Sequence, residues 1–104
     1  MPTANRLSRA HTVADLEFVI YTSRCGACRL TRERIELVVD AVGRGRVGWR
    51  EVDVISDPED AEADGVDRTP TVILLLADGT EAMRASGVPT IEQVLTAVST
   101  HLPD

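Results

Sequence analysis

The chemistry of this chain is concentrated in its only two cysteines, which stand in the run Cys25-Gly26-Ala27-Cys28. At the start of a helix, residues three apart lie on one face as close neighbours. A disulfide needs Cα atoms about 4.4–6.8 Å apart, so such a pair can be oxidised and reduced with little backbone movement. A helix N-terminus also favours a thiolate, through its free N–H groups and its positive dipole end. The spacing therefore indicates thiol–disulfide chemistry.

The two cysteines are expected to have different roles. Cys25, beside Arg24 at the helix start, is the expected attacking thiolate, and Cys28, one turn inward, is expected to resolve the mixed disulfide. The disulfide that they form would itself be the redox centre, with no bound cofactor. Two other interpretations of the same cysteines stay open: a non-catalytic binding module, and a carrier of a metal or an iron–sulfur cluster.

A structural zinc site is difficult to assemble from this sequence. Such a site needs four ligands, and the only other soft ligands are His11 and His101, near the two ends of the chain. A cluster shared between two subunits would avoid that shortage. We expect no metal site within a single chain.

Arginine is concentrated around the cysteines, since seven of the eleven basic residues lie between Arg24 and Arg50. A basic rim beside Cys25 would attract acidic substrates, such as the carboxylates of glutathione or an acidic loop of a partner. The alternative is an ordinary solvated helix face, held by the i,i+4 pairs Arg29–Glu33 and Arg32–Glu36. Both interpretations stay open at this stage.

Length and composition predict one domain, with a polar N-terminal extension at residues 1–15 and the folded part at residues 16–104. The formal net charge of −6 argues against a nucleic-acid partner, because phosphate binding needs a basic surface. No segment approaches the roughly 20 apolar residues of a membrane span, and the N-terminus has no apolar signal region. If Met1 is the natural start, we expect a cytoplasmic protein. There a lone cysteine pair is catalytic or metal-binding rather than structural.

The elements that must position the cysteines follow from the hydrophobic pattern. The run before the cysteines is β-branched and aromatic, which is typical of a strand buried on both faces. Apolar residues then recur at helical spacing until Gly43. The predicted elements are a strand at Leu16–Thr22, a helix from about Cys25 to Val42, a strand at Val47–Val54, a short helix from Pro58 to about Gly65, strands at Thr71–Leu76 and Thr80–Ala85, and a helix from Ile91 to Leu102.

This β-α-β-α-β-β-α order predicts an α/β fold. Two strands joined through a helix should be parallel, with a right-handed crossover. The final pair, joined at Asp78-Gly79, should form an antiparallel hairpin. We therefore predict a four-stranded mixed sheet with helices on both faces.

Several local strings resemble the thioredoxin/glutaredoxin superfamily. Besides the C-x-x-C run they are Ile20-Tyr21-Thr22-Ser23, Val52-Asp53-Val54, Arg68-Thr69-Pro70-Thr71, Ala77-Asp78-Gly79-Thr80 and Gly87-Val88-Pro89. The resemblance covers roughly Leu16 to Leu102. It implies a compact thioredoxin-like fold and a dithiol–disulfide oxidoreductase.

The resemblance also implies partners and supporting residues. The substrates would be disulfide-containing proteins, the reductant a thioredoxin reductase or glutathione, and the protein a monomer. Pro70 would form a cis peptide bond and lie opposite the cysteines, and the backbone of Thr69 would offer an edge for an extended substrate. Tyr21, Arg24, Gly26 and Ala27 would support the cysteine pair or contact the substrate.

The sequence departs from both subfamilies around the cysteines. Ala27 stands where proline or tyrosine is common, Arg24 and Tyr21 where thioredoxins have tryptophan, and Val19 in place of the buried acid of thioredoxins. Glu51 and Asp53 are then the candidates for accepting the Cys28 proton. The alternative is that both are ordinary polar residues at a strand edge.

Overall fold

The computed structural model describes residues 14–103, so most of the predicted N-terminal extension lies outside the described part. Seven elements follow one another: β1 (Leu16–Thr22), α1 (Gly26–Val42), β2 (Val47–Asp53), α2 (Pro58–Ala63), β3 (Thr71–Leu76), β4 (Glu81–Ser86) and α3 (Ile91–His101). None of the helices within residues 14–103 has the length and apolar character needed to cross a bilayer.

The four strands form one mixed sheet in the order β2-β1-β3-β4. β1 is parallel to β2, with Leu16 beside Val47, and antiparallel to β3, with Leu16 also beside Leu76. β3 and β4 form the antiparallel hairpin. All seven residues of β1 are buried, because the strand lies inside the sheet and is covered on both faces. The predicted element order and mixed sheet are confirmed.

Alternation along β1 divides the core into two parts. Leu16, Phe18 and Ile20 face the side covered by α1 and α3, where they belong to a cluster that includes Ile35 and Val98. The intervening residues face the other side, where α2 contributes Ala61 to a smaller cluster. Helices therefore cover both faces, as predicted. Burial of a large apolar side chain contributes about 1.5–3 kcal/mol, so the larger cluster provides most of the apolar stabilisation.

Three strand boundaries differ from the prediction, and at two of them a turn takes the expected strand residue. β2 ends at Asp53 rather than Val54, since Asp53 begins a turn in which its Oδ1 accepts from the Ile55 N–H at 2.9 Å. β4 ends at Ser86, which pairs with Thr71, rather than at Ala85, and it begins at Glu81 rather than Thr80. The Thr80 N–H donates to Oδ1 of Asp78 at 2.9 Å, and this bond closes the hairpin turn.

Candidate active site

The cysteine pair lies where β1 leads into α1. Cys25 is the N-cap residue of α1, with extended backbone (φ −97°, ψ 163°), and its sulfur accepts a hydrogen bond from the Cys28 N–H at 3.0 Å. The two sulfurs form a disulfide, and their Cα atoms are 5.0 Å apart. That separation suits a disulfide, so the bond can open or close without a large movement of the helix.

The two sulfurs have different surroundings. Cys25 is partly exposed, whereas Cys28 is 1% exposed. The sulfur of Cys28 also accepts a hydrogen bond from the Ser23 N–H at 3.4 Å. Gly26 and Ala27, which lie between the cysteines, are both exposed. A molecule in solution can therefore approach the disulfide from the side of Cys25.

Arg24 leads the chain from the strand into the helix in a conformation that side-chain-bearing residues rarely adopt. Its φ of 66° lies in the left-handed region, which costs about 1–2 kcal/mol. Its Nε donates to Oδ2 of Asp53 at 2.9 Å, and its Nη2 donates to Oγ of Ser56 at 3.4 Å. These contacts hold Arg24 against the turn after β2 and offset part of the cost. No glycine or asparagine marks this position in the sequence, so the conformation was not predicted.

The Thr69–Pro70 peptide bond is cis, which confirms the expectation from the resemblance. Pro70 is buried, and its carbonyl accepts from the Gly87 N–H at 2.9 Å. The hydroxyl of Thr69 shares a hydrogen bond with the hydroxyl of Ser23, with 2.5 Å between the oxygens. Because the Ser23 N–H also binds the Cys28 sulfur, one residue connects the proline loop to the disulfide.

A cavity of about 370 Å³ opens at the disulfide. Four of its seven lining residues are charged: besides Cys25, Gly26 and Cys28, it is formed by Arg24, Arg29, Arg32 and Glu51. These residues come from the turn before α1, from the first two turns of α1 and from the edge strand β2. The cavity therefore places three basic groups and one acidic group around the reactive sulfur.

Glu51 is held in this cavity by two contacts. It accepts a hydrogen bond from the Thr22 hydroxyl at 2.6 Å and pairs with Nη1 of Arg32 at 2.8 and 3.0 Å. Strand alternation brings Glu51 to the side of the sheet that α1 covers. Of the two candidates for accepting the Cys28 proton, Glu51 therefore shares a cavity with that cysteine.

Asp53, the other candidate, is engaged elsewhere. The N–H of Ile55 and the guanidinium of Arg24 hold the pKa of Asp53 below its ordinary value. Asp53 is thus kept ionised as the anchor of the Arg24 turn, and it is not among the described residues that line the cavity.

Tyr21 lies away from the cavity, so of the two roles expected for it, support of the cysteine pair and contact with the substrate, its position fits only the first. Its side chain is fully buried on the α2 side of the sheet, and its hydroxyl donates to a carboxylate oxygen of Asp64. The reason is strand alternation: neighbouring residues of β1 face opposite sides, so Tyr21 faces away from the side on which Thr22 meets Glu51. Tyr21 supports the strand that leads to the cysteines.

The helix-face pairs considered from the sequence do not form among the described residues. Arg32 reaches across to Glu51 instead of binding Glu36, and Glu36 pairs with Arg44 at 3.5 Å. In the same part of the chain, Arg29 makes no ion pair with Glu33. His101 lies in the last turn of α3, and His11 is outside the described residues. Within residues 14–103, no group of three or more His, Cys, Asp or Glu side chains is arranged to hold a metal ion.

Ser23 is the site residue that sequence reasoning missed. Its N–H and its hydroxyl connect the Cys28 sulfur to Thr69, 46 positions later in the chain. A serine between a strand and a helix is common in any fold, so the residue type carries no signal for this role. Only its position two residues before Cys25 could have drawn attention to it.

The fold is similar to those of known structures, although no protein-family model matches the chain and no curated protein sequence is significantly similar to it. Thioredoxin from Fasciola hepatica is 23% identical, with a TM-score of 0.73 over 94% of this chain and 90% of that one. A mutant thioredoxin from Halobacterium salinarum is 21% identical, with a TM-score of 0.74 over 88% and 78%. A malarial protein is 19% identical, with a TM-score of 0.75 over 86% and 99%. The chain therefore has a thioredoxin-like fold, as predicted.

Proposed function

We propose that this protein is a thiol–disulfide oxidoreductase that reduces disulfides in other proteins, with Cys25 as the nucleophile and Cys28 as the resolving thiol. The observation that carries the proposal is the asymmetry of the pair. One sulfur caps a helix N-terminus and is reachable from solution, and its partner is 1% exposed. In the reduced protein, the amide that contacts Cys25 would stabilise its thiolate.

The reaction would proceed by two thiol–disulfide exchanges. The Cys25 thiolate attacks one sulfur of the substrate disulfide; an S–S bond to Cys25 forms, the substrate S–S bond breaks, and the departing thiolate takes a proton from water. The Cys28 thiolate then attacks the Cys25 sulfur, and the second substrate thiolate leaves. Two electrons pass to the substrate, and the protein is left with the Cys25–Cys28 disulfide.

Thr69 and Pro70 would hold the substrate beside this disulfide. Proline has no N–H, and the main-chain N–H and C=O of Thr69 bind no other described residue. An extended segment of a substrate could therefore pair with Thr69, as a strand adds to a sheet edge. The exposed Gly26 and Ala27 leave the approach to Cys25 open.

The proposed cycle also needs a reductant. The two sulfurs carry both electrons, so the cycle needs no resident cofactor or metal. A thioredoxin reductase or glutathione would return the disulfide to the dithiol. We propose that the protein acts in the cytoplasm as a monomer, without a nucleic-acid or membrane partner.

Reduction of insulin disulfides tests the proposal. With dithiothreitol as the reductant, the wild-type protein should accelerate the reduction, and Cys25→Ser should reduce the rate to the background. Incubated in its reduced form with insulin after the dithiothreitol has been removed, Cys28→Ser should instead accumulate as a mixed disulfide with the substrate, detectable by mass, because the first exchange still occurs and the second cannot.

Either of two results would overturn the proposal. If Cys25→Ser were as active as the wild type, the cysteine pair would not carry the reaction. If the wild type were inactive, the chain would be a non-catalytic module. Stoichiometric zinc or a coloured cluster in that inactive protein would make it a metal carrier.

A further inference from the structure

The charge at the cavity is opposite to that of the whole protein. The chain has a formal net charge of −6, yet three arginines and one glutamate surround the disulfide. Eight of the seventeen acidic residues lie in residues 51–67, which form the end of β2, helix α2 and the segments beside it. The cavity is therefore a locally basic site on an otherwise acidic protein. Local electric fields of this kind orient charged partners as they approach.

Only one of the three arginines is without an ion-pair partner in the described structure. Arg24 is paired with Asp53 at 2.9 Å, and Arg32 with Glu51 at 2.8 Å. Arg29 is exposed, lines the cavity, and makes no ion pair with any residue from 14 to 103. Its backbone N–H donates to the Cys25 carbonyl at 3.1 Å, so its position on the helix is fixed one turn from the reactive sulfur.

We propose that Arg29 makes this site select polypeptide disulfides in which a carboxylate side chain lies close to the reacting sulfur. The proposal rests on the oxidoreductase function proposed above and assigns its substrate class. A guanidinium without a partner can bind a carboxylate with two parallel hydrogen bonds. The positive charges of the other two arginines are already compensated by Asp53 and Glu51, which weakens their attraction for a second carboxylate.

A polypeptide fits the site better than a small thiol compound does. The main chain of Thr69 has free hydrogen-bonding groups within the described structure, and Ser23 connects it to Cys28. An extended segment paired there advances about 3.3 Å per residue. Because Arg29 and Cys25 line the same cavity, residues one or two positions from the reacting cysteine would then lie near the long Arg29 side chain.

Three synthetic disulfide peptides that differ only at the two residues flanking the reacting cysteine would test this. The flanking residues are aspartate, glutamine or lysine, and kcat/KM is measured for each peptide. The wild type should prefer the aspartate peptide over the lysine peptide by roughly twofold to fivefold, within the range expected for exposed charge pairs. The preference should shrink as salt is added, because exposed charges are screened.

Two variants that each remove one positive charge distinguish an effect of Arg29 itself from an effect of the protein's overall electric field. Arg29→Gln should bring the aspartate-to-lysine ratio close to one. Arg44→Gln is the matched control, because Arg44 is an exposed arginine just beyond the other end of α1, paired with Asp40 at 2.7 Å. Its ratio should equal that of the wild type.

The possible failures are distinguishable. A wild-type ratio near one, with all three peptides reduced, would overturn the role of Arg29 and leave the oxidoreductase function intact. So would a ratio that Arg29→Gln does not change. A preference seen only with glutathione disulfide, and not among the peptides, would overturn the polypeptide assignment. If the wild type reduced insulin but none of the peptides, the role of Arg29 would be overturned, and if it reduced neither, both proposals would fail.

Discussion

Helices α1 and α3 begin with different chemistry at their N-termini. At α3, the Thr90 hydroxyl accepts from the Gln93 N–H at 3.0 Å, and the Gln93 side chain accepts from the Thr90 N–H at 2.8 Å. Glu92 places an acidic group in the first turn. This is a complete capping box at the positive end of the helix dipole, and each of its parts stabilises the helix.

The N-terminus of α1 has none of these oxygen groups. Its cap is the sulfur of Cys25, a weak acceptor, and its first turn contains no acidic residue. Arg24 and Arg29 place positive charge where the helix dipole is already positive, which is unfavourable for helix stability. The same groups favour a thiolate at Cys25.

The N-terminus of α1, unlike that of α3, departs from the rules that stabilise helices. Natural sequences usually follow those rules except at sites where another requirement decides. One helix of this chain begins according to them, and the other begins with a redox-active sulfur between two arginines. Four variants test whether this contrast is one of function, beginning with the largest expected effect.

Cys25→Ser removes the proposed nucleophile and replaces the sulfur cap of α1 with a hydroxyl cap. We expect complete loss of disulfide reduction, while the reduced variant unfolds with a free energy no lower than that of the reduced wild type, because serine is a strong N-cap residue. Chemical denaturation under reducing conditions gives the stability. A variant less stable than the reduced wild type would show that the sulfur also has a structural role that oxygen cannot replace.

Glu51→Gln tests the acidic group in the cavity beside the N-terminus of α1. If Glu51 takes up the Cys28 proton, the variant should slow the resolving exchange about a hundredfold and change its pH profile. Asp53→Asn is the matched control, because Asp53 is bound to the Arg24 turn and should leave that step unchanged. Rapid-mixing measurement of mixed-disulfide decay provides the readout. Equal rates in both variants would remove Glu51 from the mechanism.

Thr90→Ala breaks the capping box of α3. The expected loss is about 1 kcal/mol in the free energy of unfolding, with disulfide reduction unchanged, since α3 begins away from the cysteine cavity. Thr96→Ala is the control, because Thr96 is exposed inside the same helix and has no capping role. A change in activity in Thr90→Ala would contradict the separation of the two helix ends.

The smallest expected effect concerns the turn that positions Arg24. Because the Ile55 N–H and Arg24 lower the pKa of Asp53, their contribution to stability is complete above the unfolded aspartate value of about 3.9. It is lost as pH falls through the lower folded pKa. Carboxyl NMR should show Asp53 titrating below the ordinary range, and Arg24→Gln should move the midpoint upward. A midpoint at the ordinary value would mean that this turn is not formed in solution.

The elements of this fold were predictable because their signals are local. The buried run of β1, the helical spacing after Cys25 and the Thr90–Gln93 capping box each lie within a few neighbouring residues. The cis bond before Pro70 was predictable from the family resemblance. Two of the three shifted strand boundaries lie at turns, where a side-chain hydrogen bond favours the turn over the strand.

The partners of the site residues were less predictable because they are distant in the chain. Arg32 had a nearer possible partner in Glu36 but reaches to Glu51 on β2. Tyr21 had no local sign that its hydroxyl would meet Asp64, which is 43 positions later in the chain. Such choices depend on which side chains the sheet brings together.

The sequence by itself determined the order of elements, the chemistry available at the two cysteines and the faces that each strand buries, because these depend on residue type and short-range spacing. Tertiary structure alone decided that β1 lies between β2 and β3, that Ser23 joins the proline loop to Cys28, and that Arg29 is left without an ion pair among the described residues. The physical reason is that hydrogen bonds and ion pairs act over a few ångströms in space. Which groups meet at that range is fixed only when the chain has folded.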